Sequence, residues 1–107
     1  MTNKVKSIIF PTTIKLKTIE LKVDAMLNIE ASKNLLFETL VPQEDQQILV
    51  QLVELVQYNQ QKQILTKYIS KIPIIINNIT LVLPQTYLVL VTSLYPFILG
   101  LNFVHSL

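Results

Sequence analysis

This sequence predicts an all-β fold, and three stretches carry the prediction. Residues 14–27, IKLKTIELKVDAML, alternate apolar and polar side chains, which is the period of a half-buried strand. Residues 72–84, IPIIINNITLVLP, set Asn77-Asn78 between two β-branched runs. Asparagine accepts the positive φ that a two-residue hairpin turn requires, so a hairpin is expected there. Residues 86–91, TYLVLV, are strand-sized, uncharged and rich in sheet-favouring residues, as in a strand buried on both faces.

The remaining elements are taken in chain order. VKSIIF (5–10) reads as a first strand stopped by Pro11. Within 14–27 the alternation changes phase between Thr18 and Ile19. That means either two strands turning at Lys17-Thr18 or one strand with a bulge. Ile19, Leu21 and Val23 then face one side and lead into Asp24. The segment 42–57, PQEDQQILVQLVELVQ, is ambiguous. Gln47, Gln51, Glu54 and Gln57 recur every three or four residues behind Pro42, Glu44 and Asp45, a local pattern of an amphipathic helix. A strand buried on both faces imitates that period over two turns, and the β surroundings favour it. Both readings stay open at this level. Pro96 then breaks the chain, and FILG (97–100) is a short last strand.

Composition narrows the function classes. A chain of 107 residues supports one domain, 1–107, with a single core. Half of the residues are apolar and 15% are charged, which is not the balance of a disordered chain. The absence of cysteine excludes a disulfide framework and a thiolate site, and the single histidine, His105, excludes a multi-histidine metal centre within one chain. No metal and no cofactor are expected; His105 reads as a surface or helix-end residue. All nine basic residues are lysines, several spread along the predicted strands, so no nucleic-acid role is expected. From Ile72 to Leu107 there is no acid, lysine or arginine, yet Asn77, Asn78, Pro84, Gln85 and Pro96 interrupt the run. That argues against a spanning helix, and the N-terminus does not have the layout of a signal peptide. A cytoplasmic protein is expected, with a small membrane-associated protein as an alternative.

Two residues acquire weight together. Asp24 follows the alternating strand, and Gly100, the one glycine of the chain, follows Phe97-Ile98-Leu99. A lone glycine marks a position where a Cβ would clash or φ is positive. In this order, LKVDAMLNIEASKNLLFETLVPQE, VQYNQQKQILTKYISKIPIIINNITLVLPQTY and PFILGLNFVHSL resemble the retropepsin-type aspartic protease domain of plant pararetrovirus (caulimovirus-type) polyproteins. The resemblance covers almost the whole chain. It implies a closed β-barrel or sandwich with a flap hairpin and a short C-terminal helix. It places an active-site Asp-Thr-Gly-Ala turn at Asp24, Ala25, Met26 and Leu27, and a flap at Tyr58, Asn59 and Gln60. It also makes Ile98, Leu99 and Gly100 the strand that crosses beneath the active-site loop.

The family's mechanism uses one aspartate from each of two subunits. Carboxylates held about 3 Å apart share a proton, so one activates water while the other donates to the scissile carbonyl. The resemblance therefore implies a homodimer acting on a peptide or polyprotein substrate. The motif is degraded, however. Ala25 lacks the threonine hydroxyl, and Met26 puts a side chain where the family has glycine. Losses of preorganised donors of this kind each cost about 10²–10³-fold in rate. The terminal helix and dimerising strand also look cut short. The expected function is a degenerate aspartic endopeptidase-like domain of a viral or virus-derived polyprotein, weak or inactive. The alternative is a non-catalytic homodimerisation or peptide-binding module.

Overall fold

The structure, a computed structural model, describes residues 8–56, 62–90 and 95–107. It is all-β, with one short helix. The strands are β1 (Ile8–Lys15), β2 (Glu20–Leu27), β3 (Asn34–Phe37), β4 (Gln47–Val56), β5 (Lys62–Ile69), β6 (Ile72–Ile76), β7 (Ile79–Leu83), β8 (Thr86–Val89) and β9 (Phe97–Leu99). The helix α1 spans Leu101–His105 and comes directly after β9. All nine strands form one sheet, in the order β4-β5-β8-β3-β9-β2-β1-β6-β7. The sheet thus has two ends, β4 and β7. No pairing among the described residues closes it into the barrel that the sequence led us to expect.

Local chemistry explains most of these elements. The phase change at residues 18–19 is a turn: Leu16 N–H donates to Ile19 O at 2.9 Å, and β1 and β2 pair antiparallel from Lys15–Glu20 to Ile8–Leu27. Pro11 does not stop the first strand, as expected from its missing donor, but sits inside it opposite Asp24. On its other side β1 is paired only at Thr13 and Ile14, to β6. At Pro11 one flank of the strand is therefore free, and a residue without an N–H is tolerated.

Asn77 and Asn78 make the expected two-residue turn, with φ of 52° and 66°, between Ile76 and its partner Ile79. Asparagine bears this conformation better than most residues, and glycine bears it without a steric cost. Asn78→Gly is expected to stabilise the protein by about 0.5–1 kcal/mol, read as a higher urea midpoint at unchanged m-value. A lower midpoint would show that the Asn78 side chain contributes more than its backbone costs.

Of the segment 42–57, residues 42–56 resolve into a short 3-10 turn, Gln43–Asp45, and then β4, while Gln57 lies outside the described residues. The helical reading is corrected, and so is the notion of a strand buried on both faces. Seven of the ten residues of β4 are exposed, because it is the sheet's edge. The head residues that suggested a helix start have another use. Asp45, buried, accepts Lys17 N–H at 2.7 Å and Thr18 Oγ1–H at 2.5 Å, which ties this turn to the β1–β2 hairpin.

The core lies where the central strands meet. Ile14, Leu36, Ile74, Leu83, Phe97 and Leu99 are fully excluded from solvent. Burial of each such side chain stabilises the fold by roughly 1.5–3 kcal/mol before entropy is counted. Phe103 anchors α1 to this core.

Candidate active-site loop

The last strand threads the sheet's centre. β9 lies between β2 and β3, parallel to the first and antiparallel to the second. Ala25, Met26 and Leu27 pair with Phe97, Ile98 and Leu99, while Leu35 and Leu36 pair with Ile98 and Phe97 from the other side. The chain rises through β2, crosses a loop at 28–33 and returns through β3, with β9 held between the two strands.

Gly100 ends β9 directly against that loop. A Cβ on Gly100 would lie 2.5 Å from Ala31 O and 2.6 Å from Lys33 O. Its φ is −100°, so the residue is needed for close approach of backbone and not for left-handed geometry. Hydrogen bonds close the same junction. Asn28 N–H donates to Leu99 O at 2.9 Å, Leu101 N–H to Ala31 O at 2.7 Å, and Gly100 N–H to the buried Asn34 Oδ1 at 2.8 Å. Asn28 also shapes the loop internally. Its Oδ1 accepts Glu30 N–H at 3.0 Å, and its carbonyl accepts Ala31 N–H at 3.0 Å.

The site residues read from the sequence fall into four groups. Ile98 and Leu99 are strand residues of β9, and Leu99 and Gly100 meet the loop at 28–33. Ala25, Met26 and Leu27 are brought alongside them, but as strand residues; Ala25 and Met26 are buried core and form no turn. Asp24 is placed elsewhere. It sits within β2 opposite Pro11, exposed, on the wall of an open cleft shared with Thr13, Lys22, Asn77 and Asn78. At about 3.3 Å per strand residue, it stands about 13 Å before Asn28 along the chain. The assignment of Asp24 to the loop above Gly100 is thus corrected. A polar–apolar alternation runs through Asp24 and ends there, at the last residue of β2 before β9 joins it from Ala25 onward. Tyr58, Asn59 and Gln60 lie outside the described residues.

The residues that sequence reasoning missed are Asn28 and Asn34. A usable signal was present in the matching apolar doublets, Met26-Leu27 before Asn28 and Ile98-Leu99 before Gly100, which the structure sets side by side. Of the loop residues 28–33, only Glu30 carries a carboxylate, and it is exposed. Among the described residues no group of three or more His, Cys, Asp or Glu could hold a metal ion, and no helix is long and apolar enough to cross a membrane.

No family model matches the chain, and no curated protein matches it. Among solved structures it is similar to the crystal structure of Lpg0085 from Legionella pneumophila, a protein of unknown function (DUF785). The two share 13% identity at a TM-score of 0.56, over 98% of this chain and 89% of that one. The likeness is one of fold, across nearly the full length of both.

Proposed function

We propose that this chain is a non-catalytic module on a retropepsin-like fold, which works by binding a protein chain, a second copy or an extended peptide, and does not hydrolyse it. One observation carries the reading. The loop that Gly100 underpins begins at Asn28, and no aspartate lies within it. Set on the family's Asp-Thr-Gly-Ala pattern, the loop reads Asn28-Ile29-Glu30-Ala31, keeping the final alanine and replacing the aspartate by its amide. An amide neither shares nor passes on a proton as a carboxylate pair does, so the water-activating step has no base at this position. The strand and glycine beneath the loop are retained, so what is kept is the scaffold. The origin in a viral or virus-derived polyprotein rests on the sequence resemblance alone.

The test is a cleavage assay on a broad peptide library at about pH 4 to 6, the range in which a carboxylate pair shares a proton. The chain, Asp24→Asn and Asn28→Asp are run side by side. Neither the chain nor Asp24→Asn is expected to hydrolyse peptides. Hydrolysis by the chain that vanishes in Asp24→Asn would overturn the proposal and return Asp24 to the catalytic position.

A further inference from the structure

The cleft beside Asp24 opens where the sheet parts. β1 and β6 are joined only at Thr13–Ile75 and Ile14–Ile74. Beyond Thr13, β6 runs on into the Asn77-Asn78 turn while β1 continues back to Ile8. The space at this parting, about 570 Å³, is of the size that small-molecule sites have. Alternation along β2 sends Lys22 and Asp24 to one exposed face, their Cα atoms about 7 Å apart. The register sets an uncharged residue across from each, Thr13 opposite Lys22 and Pro11 opposite Asp24. At the other end of the same hairpin the charges answer each other, Lys15 facing Glu20 at 3.9 Å. Lys22 and Asp24 have no such answer. Among the described residues neither side chain makes a hydrogen bond or an ion pair, and neither do those of Thr13, Asn77 and Asn78. Five polar side chains thus line one concavity with their bonding capacity unused.

We propose that this cleft binds a small zwitterion with an apolar body, the chemistry shared by a free apolar amino acid and a short apolar peptide with uncapped ends. The two charges select it. A simple anion drawn to Lys22 would lie close to the Asp24 carboxylate, and a simple cation drawn to Asp24 would lie close to the Lys22 ammonium. A ligand that carries both signs sets its carboxylate on Lys22 and its ammonium on Asp24, and leaves neither against its like. The Thr13 hydroxyl and the Asn77 and Asn78 amides both donate and accept, so they serve either end. Pro11 and Ile75 give the ligand's body an apolar wall. Exposed ion pairs are individually weak, so an affinity near 1 mM is expected. No residue of the loop over Gly100 lines the cleft, so this inference stands apart from the reading of the chain as non-catalytic.

Titration of the full, ¹⁵N-labelled chain with leucine and with the dipeptide Leu-Leu tests this by NMR. Binding of either is expected to shift the backbone amides of residues 12–13, 22–24 and 75–78, and the tighter of the two names the source. N-acetylation or C-terminal amidation of that ligand, each of which removes one charge, is expected to weaken binding at least about threefold. Lys22→Met and Asp24→Asn are expected to do the same. Both side chains are exposed, and the dispersion of each variant's spectrum reports directly that it is folded. A pairing test then separates contact from a general effect. In Lys22→Met the free and the amidated ligand should bind equally, because the carboxylate has lost its partner, and in Asp24→Asn the free and the acetylated ligand should do so. Silence toward both ligands at about ten times the expected 1 mM would overturn the proposal. So would shifts confined to other residues, or capped ligands that bind the wild type as well as uncapped ones.

Discussion

Gly100→Ala is expected to destabilise the protein by about 3 kcal/mol, seen as a fall of roughly 10–20 °C in Tm. The added methyl would meet two backbone carbonyl oxygens at 2.5 and 2.6 Å, on residues 31 and 33 of one loop. Neither is the far end of a flexible side chain, so relief requires the loop or β9 to move. Movement there breaks a connected set of bonds: Leu101 N–H to Ala31 O, Asn28 N–H to Leu99 O, and Gly100 N–H to Asn34 Oδ1. The last is fully buried, and a buried donor without a partner costs about 1–3 kcal/mol by itself. Against a total stability of about 5–15 kcal/mol, the loss is large. Thermal unfolding of the two proteins under one buffer checks it. A Tm within a few degrees of wild type would mean that the loop gives way freely and that Gly100 does not hold it.

Asp45→Ala is expected to cost about 2–3 kcal/mol. The carboxylate is buried and accepts two hydrogen bonds from the β1–β2 turn, one from Lys17 N–H and one from Thr18 Oγ1–H. Removing it leaves a backbone N–H and a hydroxyl without their acceptor, and it frees the 3-10 turn that precedes β4 from the hairpin it is tied to. Asp45→Asn is expected to keep most of the stability, because the amide oxygen can still accept Lys17 N–H and the threonine hydroxyl can rotate to accept the amide. Urea unfolding of the three proteins distinguishes these outcomes. Equal losses for alanine and asparagine would show that the charge, and not the pair of hydrogen bonds, is what the site requires.

The all-β class, the hairpin at Asn77-Asn78 and the tight packing at Gly100 could be read from residues 14–27, 72–84 and 97–100, whereas the phase change at Thr18-Ile19 left a turn and a bulge equally open until the pairing of β1 with β2 decided for the turn. In the first three, the signal is local. A period of two, a pair of residues that accept positive φ, or a single glycine states its own backbone requirement, whatever packs around it. The segment 42–57 could not be read in that way. Its polar residues fall at helical spacing because β4 is an edge strand whose exposed positions are under no pressure to alternate, and a bulge shifts its register midway.

The candidate site needed the tertiary structure for a related reason. Asp24 and Asn28 are both short polar residues near the end of one strand, and the sequence ranks the carboxylate above the amide. Which of them meets the loop over Gly100 depends on where β9, far along the chain, enters the sheet: it pairs with Ala25, Met26 and Leu27 and brings Leu99 to Asn28. The sequence by itself determined that the chain builds a sheet and that its one glycine stands where something packs tightly. Only the tertiary structure decided what lies above that glycine, because the register of a parallel pair is set by the packing of both faces and not by either strand alone.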